Sequence, residues 1–302
     1  WIKHRNEAND HVLTDSIRGV DNILYSNSPD AQPSGGQITS FDTDGFSLKY
    51  SGGQNVKFNK SGGTYVAWCW KAGNTWQSNV TGAIPSTVNA NTANGFSIVK
   101  YTGTGANTTV GHSLGAAPEV MLIKDLDNSR DWGVYHIGNT GSSGYANQER
   151  LKLNTDDPTT TYAPYWNGTT PTSTVFSLGN EGNVNTSGQE YIAYCWTPKS
   201  GYSKFGSYTG TGSSGNAQDI GFQPDFVMIK STAQYGWNIY DSKRPSGSIT
   251  GRYMLIANAN DTEYTTSAVH IDLTSTGFSF PNGYDGTNKS SQKYVYMAFK
   301  MN

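Results

Sequence analysis

Apolar residues along this chain alternate with a period of two and do not recur at helical spacing. Tyr191, Ala193 and Cys195 alternate with Ile192, Tyr194 and Trp196, so both faces of that segment are apolar or aromatic. Such a pattern predicts a strand buried on both sides. Val120 to Ile123, Phe226 to Ile229 and Leu151 to Leu153 are further short strand-like runs. Clusters of Gly, Asn, Ser and Thr punctuate them at close intervals, as turns between strands do. The segment from Arg252 to Thr276 has neither Gly nor Pro, yet it shows no sustained i, i+3, i+4, i+7 pattern. The expectation is an all-β protein.

The pattern also repeats. Tyr65-Val66-Ala67-Trp68-Cys69-Trp70, Tyr191-Ile192-Ala193-Tyr194-Cys195-Trp196 and Tyr294-Val295-Tyr296-Met297-Ala298-Phe299 each end a block, after a polar turn. Gly45-Phe46-Ser47-Leu48, Val175-Phe176-Ser177-Leu178 and Gly277-Phe278-Ser279-Phe280 come earlier in the blocks. Trp1-Ile2-Lys3, Leu122-Ile123-Lys124 and Met228-Ile229-Lys230 come earlier still, followed by His11, Trp132 and Trp237. Self-similarity at a fixed spacing marks repeated structural units. The predicted organisation is a first repeat over 1–74, a linker over 75–94, a second repeat over 95–200 and a third over 201–302.

Each full block holds enough strand-like runs for a β-sandwich, so tandem jelly-roll-like sandwiches are expected. The later blocks carry an upstream element, Tyr101-Thr102-Gly103-Thr104-Gly105 and Tyr208-Thr209-Gly210-Thr211-Gly212, that the first block lacks. A sheet missing an edge strand exposes unpaired backbone groups. A longer natural polypeptide, or a strand from another subunit, is the expectation. Cys69 and Cys195 fall at matching positions where the third block has Ala298, which predicts small buried residues and no disulfide.

Tyr-Val-Ala-Trp-Cys-Trp-Lys-Ala-Gly at 65–73, Gly-Phe-Ser-Ile-Val-Lys-Tyr-Thr-Gly-Thr-Gly at 95–105 and Gly-Tyr-Ser-Lys-Phe-Gly-Ser-Tyr-Thr-Gly-Thr-Gly at 201–212 carry a resemblance. Together they resemble a repeated β-rich domain of marine bacteriophage proteins of the virion or tail-fibre type. The likeness covers essentially the whole chain. It implies a viral structural or adhesion role outside the cell, with other virion proteins or copies of the chain as partners. It transfers no catalytic or binding residue.

Composition narrows the function. The 302 residues carry 21 Lys and Arg against 23 Asp and Glu, a net charge of −2. That balance speaks against nucleic-acid binding, which needs a basic surface. No run approaches the ~18 apolar residues of a membrane helix, so no membrane partner is expected. With 19 Tyr, 8 Trp and 11 Phe, aromatics supply much of the buried area.

Candidate chemistry is sparse. Gly111-His112-Ser113-Leu114-Gly115 fits the G-x-S-x-G hydrolase motif, but it sits between strands and lacks the strand-to-helix context. Asp125, Asp127 and Asp131, with Asn128, have the spacing of a Ca²⁺-coordinating loop, the one cofactor the sequence suggests. A solvated turn is the alternative. Tyr162, Tyr165 and Trp166, in a polar loop of the second block only, and Trp76 after the first block, form candidate platforms for sugar rings. The alternative is that the loop packs back on the sandwich. Asp15 with Arg18, and Asp241 with Arg244, match between the outer blocks and predict local ion pairs. The histidines show no metal-binding spacing. The expectation is a non-enzymatic structural protein, with a module for host surface glycans as the second reading.

Overall fold

The computed structural model describes residues 1–49, 57–244 and 252–301. The chain is all-β, and its paired strands run antiparallel. In chain order, the first block gives β1 (Ile2–His4), β2 (Val12–Asp15), β3 (Gly19–Tyr25), β4 (Ile38–Phe41), β5 (Phe46–Leu48) and β6 (Tyr65–Ala67). The middle of the chain gives β7 (Gln77–Asn79), β8 (Ser86–Asn91), β9 (Phe96–Thr102), β10 (Thr108–Gly111), β11 (Val120–Asp125) and β12 (Gly133–His136). It continues with β13 (Glu149–Lys152), β14 (Thr160–Thr161), β15 (Val175–Leu178), the single-turn helix α1 (Gly182–Asn185) and β16 (Glu190–Trp196). The last part gives β17 (Ser203–Thr209), β18 (Asn216–Asp219), β19 (Phe226–Ser231), β20 (Trp237–Asp241) and β21 (Leu255–Ile256). It ends with β22 (Asp272–Thr274), β23 (Gly277–Phe280), α2 (Asp285–Asn288) and β24 (Lys293–Phe299).

Three large sheets have the orders β3-β2-β1-β6, β14-β13-β12-β11-β16-β9-β8-β7 and β17-β24-β19-β20-β21. Three small ones, β4-β5, β10-β15 and β18-β23-β22, accompany them. The register repeats from sheet to sheet. Ile2, Ile123 and Ile229 face Ala67, Ala193 and Tyr296, and the following lysines face Val66, Ile192 and Val295. The segment 75–94, expected as a linker, instead extends the middle sheet through β7 and β8.

Each large sheet buries both faces. The inward faces share one core in which Trp68, Phe96, Tyr194, Trp196, Phe226 and Phe299 are prominent. The outward faces pack against the small sheets in separate cores, for example Tyr101, Tyr191 and Cys195 against Val110, Phe176 and Leu178. At the centre Trp70, Trp196 and Phe299 meet pairwise, with ring centroids 6.0, 5.6 and 6.4 Å apart. Such edge-on and tilted aromatic contacts add to area burial. The sheets are also tied by hydrogen bonds. Trp132 Nε1 donates to the Tyr25 carbonyl at 2.9 Å, and Trp237 Nε1 donates to the Lys152 carbonyl at 2.8 Å. Ser26 Oγ donates to the Ala257 carbonyl at 2.6 Å.

Lys3, Lys124 and Lys230 are buried on the strands that follow these isoleucines. Each ammonium donates at 2.7 Å to the carbonyl of the next residue, His4, Asp125 or Ser231. Buried charge persists only when it is compensated, and further carbonyls of Asn260, Asn128 and Ala233 complete each cradle. Burial still lowers their pKa values, to about 8, about 8 and about 7.

The cysteines are free, as expected, but their environments differ. Cys195 is buried and Cys69 is exposed. The expectation of a buried small residue fails at Cys69. There, β6 pairs only with β1 among the described residues, whereas β16 and β24 lie between two neighbours.

Trp196 Nε1 has no hydrogen-bond partner, so its contribution is packing. Trp196→Phe should leave stability within about 1.5 kcal/mol of the parent, and Trp196→Ala should cost about 3–5 kcal/mol, read by urea unfolding. His136 Nε2 faces the Tyr296 carbonyl at 2.9 Å, and its Nδ1 accepts from the Gly138 N–H, so the ring is neutral. Burial pushes its pKa from 6.5 down to about 4, against the opposing backbone hydrogen bond. The unfolded chain therefore takes up this proton first on acidification. The stabilisation is complete above about pH 6.5 and is lost as pH falls toward 4. Unfolding free energy measured across that window should fall less steeply in His136→Gln.

Candidate functional site

The acidic loop after β11 is built for structure. Asp125 is fully buried, and its Oδ1 accepts the N–H groups of Asp127 and Asn128, both at 2.9 Å. Its Oδ2 accepts from the Tyr191 hydroxyl at 3.2 Å and lies 3.5 Å from Arg130 Nε. Asp127 Oδ2 accepts the Glu190 N–H at 2.7 Å, which pins the loop to β16. Asp131 turns the other way, to Asn154 and Lys152, both at 2.8 Å. Burial raises the pKa of Asp131, but those two hydrogen bonds outweigh it and hold the carboxyl below its usual range. The three carboxylates thus go to separate partners. Among the described residues no group of three or more His, Cys, Asp or Glu is placed to hold a metal. Asp125, Asp127 and Asp131, expected as Ca²⁺ ligands, are thus not brought together in the structure.

The aromatic loop of the middle block divides. Tyr165 and Trp166 are buried, so the expectation that they form an open platform is corrected. A 3₁₀ turn over Ala163–Tyr165 folds the loop back. Trp166 Nε1 donates to the Glu149 carbonyl at 2.9 Å, and the ring meets Tyr135 edge-on. The indole gains a partner for its one donor, which makes full burial favourable. Tyr162 stays at the surface, 38% exposed, with the Arg150 guanidinium 4.7 Å from its ring centroid and Glu181 bonded to its hydroxyl. Trp76 is 65% exposed, just before β7. The structure thus places no two of the four aromatics together on an open face.

The Asp–Arg pairs are local, as the sequence predicts, and they also reach across sheets. Arg18 Nε meets Asp15 at 2.5 Å, and the Tyr194 hydroxyl donates to the same carboxylate at 2.8 Å. Arg244 Nε meets Asp241 at 2.5 Å, and Trp68 Nε1 donates to that carboxylate at 3.1 Å. Arg244 also bonds Glu263, which Arg5 grips from the first sheet.

Ser113 of the G-x-S-x-G motif has a φ of 58°. Its hydroxyl accepts from Asn79 at 2.7 Å, and the neighbouring His112 turns to the Thr172 carbonyl and the Leu114 N–H. The imidazole is therefore engaged away from the hydroxyl it would have to activate.

One concavity lies where no motif pointed. A groove of about 500 Å³ runs along the free side of β6, with Trp68, Cys69, Trp70, Phe46, Phe96 and Trp196 among its lining. Its residues belong to the repeated pattern and so look like core.

If the acidic loop is held by hydrogen bonds alone, Asp125→Ala should cost about 1–3 kcal/mol through unsatisfied buried N–H groups. Added calcium should leave the melting temperature of the parent unchanged. A calcium-dependent rise in scanning calorimetry that Asp127→Asn abolishes would contradict this.

No curated protein and no solved structure matches the chain. A family described as a domain of unknown function (DUF7483) matches residues 1–302, and the chain belongs to that family.

Proposed function

We propose that the chain is three copies of one β-sandwich unit closed into a pseudo-threefold ring. We further propose that it serves as a non-enzymatic structural component of a phage virion surface or tail fibre. The observation that carries the reading is cyclic. Trp132 of the second block reaches Tyr25 of the first, Trp237 of the third reaches Lys152 of the second, and Ser26 of the first reaches the Ala257 carbonyl of the third. The two tryptophans and His11 hold the same position in each block, and Tyr25, Lys152 and Ile256 pair with the residue after that position. Trp70, Trp196 and Phe299, also matched, meet on the axis such a ring would have.

A closed ring of sheets sharing one core is a stiff body, which suits a spacer or shell element. The resemblance noted in the sequence supports the virion setting, with other virion proteins or further copies as partners. The polar groups of the acidic loop and of the serine motif are taken up in structural hydrogen bonds, which supports a role without catalysis.

A second reading, binding of host surface glycans, is favoured by one observation. Tyr162 presents its ring at the surface, oriented by Arg150 and Glu181, with the Asn183 amide two residues further on held by Tyr165. An oriented exposed ring beside charged and amide groups is a usable sugar platform.

Small-angle scattering tests the ring. A compact body of this length has a radius of gyration of about 19 Å, and a markedly larger value would mean separate beads. A polysaccharide binding screen of the parent with Tyr162→Ala and Trp76→Ala tests the second reading. Under the structural reading neither substitution changes anything. Saturable binding lost in Tyr162→Ala, with the fold intact, would replace it with receptor recognition. Antibody against the chain should decorate purified particles in electron micrographs, and antigen absent from particles would remove the virion assignment.

A further inference from the structure

The three seams between blocks are closed by different chemistry. β2 and β20 end on Asp15 and Asp241, each paired with the arginine three residues on, Arg18 or Arg244. Their backbone N–H groups and guanidinium groups surround those carboxylates, and the neighbouring block adds a donor. Tyr194 of the second block donates to Asp15, and Trp68 of the first donates to Asp241. β12 ends instead on His136, with Asn139 three residues on. His136 Nε2 reaches the Tyr296 carbonyl of the third block at 2.9 Å. The second and third blocks thus meet at an uncharged imidazole where the other two seams hold an ion pair.

This imidazole has no room for a second proton. It is 1% exposed, and its Nδ1 accepts the Gly138 N–H at 3.0 Å. A proton added at Nδ1 would set one donor against another. The turn cannot shift to relieve this, because it lies backbone to backbone on the third block. A Cβ built on Gly138 would come within 2.9 Å of the Gly206 backbone. Asn139 is buried as well, its Nδ2 has no partner, and its Oδ1 accepts from the Thr159 hydroxyl at 2.7 Å. The charged groups around the ring do not favour a cation. Lys293 on β24 repels it. β17 presents Gly206 and Ser207, neither of which ionises. Glu119, just before β11 and close to Tyr135 and Tyr296, has its pKa raised by burial. A carboxyl of that kind takes up a proton more readily in the closed seam, so it opposes any acid effect of the histidine.

We propose that the seam between the second and third blocks is an acid-sensitive gate, which protonation of His136 parts while the two Asp–Arg seams hold. The proposal rests on the ring reading, because that reading makes the three seams comparable. The sign follows from linkage. Burial lowers the pKa of His136 from 6.5 to about 4 in the closed seam, so the parted seam binds the proton more tightly. Closure is fully favoured above about pH 6.5 and weakens as pH falls toward 4. Lys3, Lys124 and Lys230 occupy matching places in all three blocks and so do not single out one seam.

Each seam carries its own reporter, a backbone amide that donates across it. Gln32 donates to Leu126 and Arg130 to Pro29 between the first and second blocks. Thr159 donates to Thr232 between the second and third, and Glu263 to Arg5 between the third and first. Hydrogen exchange resolved to single amides, corrected for the intrinsic rate at each pH, reads them separately. From about pH 7 to about pH 5 the two pKa values raise parting of the His136 seam roughly twentyfold. Protection of the Thr159 amide should fall by that factor, and that of Gln32, Arg130 and Glu263 by less than about threefold. His136→Gln keeps a donor for Tyr296 and an acceptor for Gly138 but takes up no proton. In that variant Thr159 should stay protected at both pH values.

Unchanged protection of Thr159 in the parent overturns the proposal, as does equal loss at all three seams. Loss at Thr159 that persists in His136→Gln overturns it too. The comparison of seams within the parent decides the matter even where the variant does not fold. Small-angle scattering at neutral pH keeps the gate apart from the ring. An extended particle there removes the ring itself, whereas a compact particle with unchanged Thr159 protection removes the gate and leaves the ring.

Discussion

Everything in this molecule follows from strands that must be buried on both faces. A sheet with one apolar face pairs with one other layer and is finished. Here the inward face of each large sheet is as apolar as the outward face, so a sandwich alone leaves half of the apolar surface in water. At roughly 25 cal/mol for each Å² of apolar surface buried, that exposure would be prohibitive. The three sheets solve the problem for one another by turning Trp68, Trp70, Trp196, Phe226 and Phe299 into one shared core. A chain with few aliphatic residues manages this because each ring buries a large area while fixing few torsions.

The polar groups at the seams act on specificity more than on stability. Two seams carry an Asp–Arg pair whose carboxylate takes a hydrogen bond from the neighbouring sheet, from Tyr194 in one case and from Trp68 in the other. The third has His136 at the Asp position, bonded to the Tyr296 carbonyl, and Met297 at the Tyr or Trp position. Buried ion pairs add little net stability, but a missing partner is costly. Placing His at position 15 or 241, as in the third seam, would strand the buried guanidinium of Arg18 or Arg244. The seam with His136 is thereby distinguished from the other two.

The strands, their two-sided burial and their register were legible because they depend on local alternation, and that alternation is repeated. The fate of isolated residues was not. Trp166 sits among Thr, Asn and Gly and reads as exposed, yet a single backbone carbonyl of Glu149 was enough to draw it in. Asp125, Asp127 and Asp131 are spaced like cation ligands, but their partners Glu190, Tyr191 and Asn154 lie far along the chain. Cys69 shows the converse. Its sequence match to Cys195 is close, and its exposure differs because burial there is set by a neighbouring strand. Sequence similarity reports what a strand is built to contact and says nothing about whether the contact is filled.

The same reasoning locates where the blocks are free to differ. Side chains on the axis are constrained by three sheets at once, and the lysine cradles by carbonyls on several sides. The outer loops are constrained by one sheet only. The features without a counterpart elsewhere all lie at this periphery: β7 and β8 on the middle sheet, the 3₁₀ loop that carries Tyr162, and the open side of β6. A molecule that holds its centre fixed by aromatic packing can change its rim at small cost in stability. Differences between the blocks therefore gather at the rim, and among the described residues the side of β6 away from β1 is a rim feature that also reaches the shared core.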